Sequence, residues 1–528
     1  MINTKNGSGV ISSYAEYYGV NPDSGKPYRL VGYEYLIEPL NSMENRVVLQ
    51  KAAQVGATVM AMMRVMWFLE HRQKSAMYLF PTHRTADRFR RGRFSVMVQR
   101  SPVFQSIVKA TGAPGHLRVG AAQFYCHGAR SRAELMSVPV AYLTLDERDE
   151  LYKAAGLEGT PWSAVDLARQ RLAGQPDSWE LSLSTPTIPG YGIAAEFAKS
   201  DQRSFLVNCP LCNRITDITW PSAVFGIDGL PHRAQFGCPR CQRPWTTEQR
   251  RELIHNGKWA PQVGGQQTHG YQLSQLLSPV AKADRLVQQW QDAQGDPSAL
   301  QVFHNSVLGL PYLAEGARLE MATIEAAIAR GNGASMASSA CTSMVGSMAG
   351  IDVGPQFLHV VIAAPVEKMC RILWAGVALQ WAELEILLNQ FQVRSYVIDA
   401  QPETHEARRL VAKRAGGWMC YYRMGIGSQP HYDTAQHVLR APRSETQDAL
   451  YHAWNTGRII APINLPSEFA EQLRSPVRVV RLDRRGVPRV DYLEAGGADH
   501  YAHSMNYCLL AMSCAGHAQH MEIYGMSG

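Results

Sequence analysis

The stretch "VVLQKAAQVGATVMAMMRVMWFLE", Val47 to Glu70, reads as a short β-branched strand, a tight glycine-containing turn and then a helix. That order suits a phosphate-binding loop, because successive backbone N–H groups and a helix amino terminus converge on one anion. In such loops a lysine adds charge and a Ser or Thr hydroxyl reaches Mg²⁺. Against the pattern G-x-x-x-x-G-K-[ST], Gly56 and Thr58 match, Ala57 stands at the lysine position, and Lys51 occupies the first glycine position. An ammonium on a four-carbon stem reaches phosphates from either rim of a loop, so the charge can be relocated rather than lost. Lys51, Gln54, Val55, Gly56, Ala57 and Thr58 are therefore the candidate ATP-binding residues. Taken alone, the stretch also reads as an ordinary strand-turn-helix.

The segments that follow decide between the two. "SAMYLFPT", "VAYLTLDE" and "WELSLSTPT" are apolar, β-rich runs ending in polar residues, separated by helical text up to about residue 200. They predict a mostly parallel sheet with its active groups at the carboxyl edge. "VAYLTLDE" ends in Asp146 and Glu147, an arrangement in which an aspartate holds the Mg²⁺ shell and the adjacent glutamate orients the attacking water. A capped helix start at "DERDE" is the competing use of those carboxylates. The two motifs together predict an ATPase.

Two further segments resemble those of nucleic-acid motors. "LFPTHRTADRF" resembles the P-T-x-x-x-A segment after the second strand of helicase-like ATPases. "LSLSTPT", with Ser184, Thr185 and Thr187, resembles their segment coupling hydrolysis to movement. "HRTADRFRRGRF" places Arg84, Arg88, Arg90, Arg91 and Arg93 within ten residues. Such a run is either a solvated helix face or a contact for an anion.

At 528 residues the chain is too long for one ordinary core, and its length predicts about two to four units. Its 46% hydrophobic and 18% charged residues include no apolar run of bilayer length. The start "MINTKNGSGVISSYAEYYG" lacks the charged and apolar segments of a secretory signal. A cytoplasmic protein without a membrane partner is expected. The net charge of +7 suits an anionic partner without specifying one.

Residues 201–262 break the strand-helix alternation, hold both CxxC pairs and show little helical periodicity, so they read as an insert. Cys209-Pro-Leu-Cys212 and Cys238-Pro-Arg-Cys241 each present two thiols from a tight turn, with twenty-five residues between the pairs. Four thiolates so arranged suit closed, tetrahedral, structural Zn²⁺. A redox motif fits less well, because two matched knuckles belong to a ribbon rather than to a βαβ active site. The other six cysteines have no framework spacing, which fits a reducing compartment.

Beyond "FHNSVLGLPY", the Gly-, Ser- and Ala-rich stretch Ala329 to Gly350 reads as a flexible linker, with a helix of small residues as the alternative. A second strand-and-helix region follows, with Asp352 in "GIDVGPQFLHVVIAAP", Asp399 in "SYVIDAQ" and Asp499 in "GGADHYAHSMNY". Carboxylates distant in sequence but placed at strand or helix ends converge on one sheet edge, as in two-metal phosphodiester cleavage with Mg²⁺ or Mn²⁺. The order strand-Asp, strand-Asp, helix-Asp is that of a ribonuclease-H-like nuclease. Asp433, Asp448 and Asp491 are possible substitutes for one member, and His500 or His503 could assist.

These parts together resemble the large terminase subunits of tailed phages, in particular the GpA family, over roughly residues 30 to 515. The resemblance implies a RecA- or helicase-like P-loop ATPase domain with a zinc-ribbon-like insert, followed by an RNase H-like nuclease domain. The expected boundaries are 1–200 and 263–328 for the ATPase domain, 201–262 for the insert, 329–347 for the linker, 348–515 for the nuclease and 516–528 for a tail. It implies that Lys51, Gly56, Thr58, Asp146 and Glu147 carry ATP hydrolysis, and that Asp352, Asp399 and Asp499 carry metal-dependent cleavage. The implied partners are double-stranded DNA, a portal, a small terminase subunit and further copies in a ring on the portal, in the cytoplasm of a bacterial host. A helicase-like repair translocase with a nuclease domain, and a DNA-binding packaging protein whose ATPase has decayed at Ala57, are the rival readings.

Overall fold

The computed structural model describes residues 10–113, 115–129, 135–136, 138–151, 163–333, 346–354, 356–423, 429–482, 488–494 and 497–515. The chain divides into two compact units, one running through Ala314 and the other starting at Glu315.

In the first unit the strands are β1 (Arg46–Lys51), β2 (Ala76–Phe80), β3 (Val108–Ala110), β4 (His116–Val119), β5 (Ala122–Gly128), β6 (Tyr142–Asp146) and β7 (Trp179–Ser184). They join β13 (Thr268–Leu273) in one sheet of order β13-β1-β7-β6-β2-β5-β4-β3. The six strands from β13 to β5 run parallel, and only β4 is reversed, pairing antiparallel with β5 and β3. Strands β2, β6 and β7 are buried at every position, which is why their sequences are continuous apolar runs rather than alternations. One strand, β7, lies between the loop-bearing β1 and the acidic β6, so the carboxyl ends of all three line the same edge.

Residues 201–262 contain β8 (Ser204–Asn208), β9 (Ile215–Asp217) and β12 (Lys258–Ala260) in a small sheet, and a hairpin of β10 (Val224–Phe225) and β11 (Gln235–Phe236). They also contain a helix, Thr247–Asn256, which the expectation of little helical text overlooked. Its start is a capping box in which Thr246 and Gln249 each bond the other's backbone N–H. The segment is continuous with the first unit's core: Phe205, Trp245 and Trp259 belong to it, and the Trp259 indole donates to the Tyr35 carbonyl at 2.8 Å.

The second unit departs from the expected boundaries. Residues 315–328 pack with it rather than with the ATPase unit, since Leu319, Ile324 and Ala327 are in its core. The expected linker at 329–347 begins inside a helix, Met321–Gly333, and ends in β14 (Ser347–Val353). The small residues there serve close packing. A Cβ on Gly331 would lie 2.1 Å from the Ala461 carbonyl oxygen, and one on Gly350 would lie 1.9 Å from the Ser504 oxygen. Residues 334–345, the middle of that stretch, lie outside the described residues.

The remaining strands are β15 (Leu358–Val366), β16 (Met369–Ala378), β17 (Val393–Asp399), β18 (Gly417–Arg423), β19 (His431–Asp433), β20 (Val438–Pro442) and β21 (Ile459–Ile460), with a separate hairpin of β22 (Pro476–Leu482) and β23 (Pro488–Glu494). The large sheet has the order β19-β20-β18-β17-β14-β15-β16-β21. Strands β14, β15 and β16 form an antiparallel meander, while β17 and β18 add in parallel on the other side of β14. The helix His500–Cys514 lies against β14, β15 and β17. Cys508 reaches the Met348 carbonyl, Ser504 the His359 carbonyl at 2.9 Å, and Ser395 the Ala511 carbonyl at 3.0 Å. That packing delivers the helix amino terminus to the carboxyl end of β14. Among the described residues no helix is long and apolar enough to cross a membrane.

Candidate functional site

In the first unit β1 ends at Lys51, and the turn 52–56 leads into the helix Ala57–Arg72. Gly56 has a φ of +81° and Gln54 one of +59°, so the turn uses the left-handed region twice. A Cβ at Gly56 would lie 3.1 Å from Leu36, so the position favours glycine on both counts. The first-turn N–H groups of the helix have no intrahelical acceptors and face an anion naturally. Lys51, Gln54, Val55, Gly56, Ala57, Thr58 and Arg93 line a cavity of about 180 Å³ here. Ala57 is itself buried, and the cavity carries two cations, Arg93, which bonds Asp23, and Lys51, whose Nζ lies 3.9 Å from Glu147 Oε1.

Asp146, at the end of β6, is buried and pinned. Its carboxylate accepts from the Tyr78 hydroxyl at 2.8 Å and from the Glu147 N–H at 3.0 Å. Burial, reinforced by the Glu147 charge and opposed by Lys51, pushes its carboxyl up to about 6. Glu147 has a φ of +53° and a side chain 46% exposed, so it reaches toward water beside the lysine. A non-glycine residue in that conformation costs about 1–3 kcal/mol, and such residues concentrate at functional sites.

Asp149, two residues on, ties this edge to β7. It accepts from the Thr187 hydroxyl at 2.8 Å and the Ile193 N–H at 2.7 Å, while its own N–H donates to Ser184 Oγ. The Thr187 carbonyl accepts from the Asn305 amide at 2.9 Å, within the π-helical turn Phe303–Leu308. The same turn takes the Ala53 N–H on the Ser306 carbonyl at 2.8 Å, and the Gln50 amide donates to the Gly309 carbonyl at 2.9 Å. The "FHNSVLGLPY" segment thus clasps both the turn after β1 and the hydroxyl-rich end of β7. Of the arginine run, Arg90 and Arg91 bond Asp87, Arg93 bonds Asp23, and Arg84 and Arg88 are exposed.

In the second unit the parallel register pairs Ile351 with Ile398, so Asp352 and Asp399 stand side by side at the carboxyl ends of β14 and β17. Burial, then the neighbouring Asp352 charge, push the Asp399 carboxyl up to about 7. Asp499 immediately precedes the helix His500–Cys514 and pairs with His503 and Arg443. Although burial opposes ionisation, His503 at 3.0 Å and Arg443 at 3.6 Å hold its carboxyl down to about 2. Among the described residues the ligand atoms of the three aspartates expected as one metal-binding group do not all lie within 4.8 Å of one another. The ligand atoms lying within 4.8 Å of one another are those of Asp352, His359 and His500. His500 Nδ1 is 2.7 Å from Asp352 Oδ2, and the His359 and His500 rings stack at 4.2 Å.

The proposed substitutes are committed elsewhere. Asp448 accepts from Arg478 and from the Tyr492 hydroxyl at 2.6 Å in a separate cavity of about 340 Å³. Asp433 accepts from the Gln436 N–H, and Asp491 from the Tyr492 N–H.

The four CxxC thiols also converge within 4.8 Å. The two knuckles repeat one backbone pattern. Asn213 and Gln242, each following its pair, both have positive φ and return an N–H to the Cys209 and Cys238 carbonyls at 2.8 and 2.9 Å. The Trp245 indole donates to Cys209 Sγ at 3.4 Å.

Residues 29–259 match the family described as phage terminase large subunit gpA, ATPase domain, and residues 268–370 match terminase large subunit gpA, endonuclease domain. Together the two matches span more than half of the chain. The chain belongs to the GpA family of phage terminase large subunits. It is 22% identical over 329 residues to the terminase large subunit of Enterobacteria phage P21, covering 56% of this chain and 51% of that protein. The chain thus spans about half the length of this curated relative. The crystal structure of the HK97 bacteriophage large terminase has the same fold, with a TM-score of 0.55 at 12% identity over 96% of this chain and 99% of that one.

In this GpA-family chain the endonuclease match starts in β13, ahead of the division at Ala314 and Glu315, so residues 268–314 belong physically to the ATPase unit. Gly309 shows how tightly. A Cβ there would lie 2.5 Å from the Leu273 carbonyl oxygen and 2.7 Å from the Ala52 nitrogen, at a φ of +66°. Gly309→Ala is expected to cost about 1–3 kcal/mol and to weaken nucleotide binding by shifting the loop. A thermal melt and a nucleotide titration check this, and an unchanged melt with unchanged affinity would contradict it.

Sequence reading missed His359, Arg443, Asp149 and Gly309 as parts of these sites. His359 had a usable signal: a hairpin over "GIDVGPQFLHV" puts it directly opposite Asp352, as the register does. Arg443, at the start of a helix in a later segment, had none.

Proposed function

We propose that this chain hydrolyses ATP in its first unit to move double-stranded DNA and cuts that DNA with a divalent metal centre in its second. The supporting observation is the presence, in one GpA-family chain, of carboxylate centres at the carboxyl edges of two separate sheets. At the first, Lys51 and the loop N–H groups hold ATP phosphates, Asp146 with Thr58 holds Mg²⁺, and Glu147 orients the water. At the second, Asp352, Asp399 and Asp499 hold Mg²⁺ or Mn²⁺, which activates water and stabilises charge on the scissile phosphate. Asp499, which pairs with His503 and Arg443, would supply the third carboxylate to the ion.

The biological setting is the filling of a procapsid through its portal in the cytoplasm of a bacterial host. It involves a small terminase subunit, cleavage of concatemeric DNA and a ring of copies on the portal. The test is ATP turnover by the full chain with and without linear duplex, alongside cutting of plasmid with Mn²⁺. DNA-stimulated turnover without strand separation supports packaging. Strand separation favours a helicase, and absent turnover favours a DNA-binding protein with a decayed loop.

Cys209, Cys212, Cys238 and Cys241 bind one zinc per chain in this reading, as a closed site that helps residues 201–262 fold. Cys209→Ser is expected to release the metal and lower the melting temperature, with elemental analysis giving about one zinc per unmodified chain and far less in the variant. Zinc-free protein purified without chelator contradicts the assignment.

A further inference from the structure

The meander that opens the second unit places His359 on β15 directly across from Asp352 on β14. Side chains opposed in this way have Cβ atoms about 4.5–5.5 Å apart on one face. The helix packed over both strands then brings His500 onto the same point. His359 is 8% exposed, and its Nδ1 is buried without a hydrogen-bond partner among the described residues. Leaving a buried ring nitrogen unpaired costs about 1–3 kcal/mol unless something fills its lone pair or takes its proton. His359 belongs to a cluster whose other members are a carboxylate and a second imidazole, each offering one ligand atom within 4.8 Å of the others.

We propose that Asp352, His359 and His500 bind one divalent ion as a mixed nitrogen and oxygen site, which makes the second unit's centre selective for Mn²⁺ over Mg²⁺. The proposal rests on the nuclease reading and refines it. Mg²⁺ prefers oxygen ligands and retains its waters, whereas imidazole nitrogen suits the first-row transition ions. The Asp352 carboxylate serves both this ion and the Asp399 side of the centre. His359 and His500 come from two different elements, so the site exists only when the helix is docked on the meander.

The test uses the full chain with zinc present and nucleotide absent, titrated with Mn²⁺ against Mg²⁺ and followed by electron paramagnetic resonance. Bound Mn²⁺ is expected to show nitrogen couplings in the electron spin echo, and Mg²⁺ is expected to displace it only at an excess of about tenfold or more. His359→Gln should weaken Mn²⁺ binding by at least about tenfold, the scale at which even supporting contacts matter to metal affinity. His359→Asp should restore binding while shifting preference toward Mg²⁺. If bound Mn²⁺ in the unmodified chain shows no nitrogen coupling, or if the Mn²⁺ to Mg²⁺ ratio is the same in His359→Gln, the proposal is overturned. Because the echo of the unmodified protein decides by itself, a misfolded variant does not rescue the idea. DNA cutting that persists without nitrogen coupling overturns the ligand assignment and leaves the nuclease reading standing. Nitrogen coupling without any cutting does the reverse.

Discussion

Glu147→Gln is expected to bind ATP and to hydrolyse it at least ~10²-fold more slowly, the scale of losing a positioned general base. The geometry makes this residue hard to replace. Asp146 is buried with both carboxylate oxygens engaged, and Asp149 is spent on Thr187 and Ile193, so neither neighbour is free to turn toward the cavity. Glu147 alone of these is partly exposed, held in a left-handed backbone conformation 3.9 Å from Lys51. Glutamine keeps the volume and removes the charge, so nucleotide affinity should hold while phosphate release collapses. Steady-state phosphate release and binding of a fluorescent nucleotide separate the two effects. Lys51→Ala completes the case, since it removes the cavity-lining cation paired with Glu147 and should weaken binding, turnover or both. Turnover near the unmodified rate in Glu147→Gln would place the catalytic carboxylate elsewhere, whereas an indifferent Lys51→Ala would dispose only of the relocated lysine.

How far the sequence reveals such a site depends on whether its residues are local. The phosphate loop, the acidic strand end and the two CxxC knuckles are contiguous motifs, and each chemical group sits within a few residues of the turn that aims it. The parallel sheet was legible for the same reason: β2, β6 and β7 are buried on both faces, and their apolar runs say so. What composition obscured was packing. Ala329 to Gly350 is small because backbone meets backbone at Gly331 and Gly350, yet small residues also write linkers, and one-dimensional text does not distinguish the two. Contacts made through register or helix docking were least legible. His359 reaches Asp352 across a hairpin, and Arg443 and His503 pair with Asp499, contacts that the strand and helix ends carrying the three aspartates do not foretell.

On the proposed role of Asp352 as a metal ligand, Asp352→Asn is expected to reduce Mn²⁺-dependent DNA cutting by at least ~10²-fold, because a ligand and a countercharge would disappear together. The neighbouring group reports the same event independently. The Asp399 carboxyl is pushed up to about 7 by burial first and by the Asp352 charge second. Removing that charge should move Asp399 back toward the ordinary carboxylate range, a shift that a carbon-detected titration can follow in the full chain. ATP turnover should be largely unaffected, since Lys51, Asp146 and Glu147 belong to the other compact unit. Asn is close to isosteric with Asp, so folding should survive, and an unchanged melt would confirm that the loss is chemical. Asp399→Asn should reproduce the loss of cutting through the opposite member of the pair. If cutting persists in both variants, the two side-by-side carboxylates serve structure rather than metal chemistry. If ATP turnover falls with cutting in Asp352→Asn, the two centres are one coupled machine rather than two engines carried on one chain.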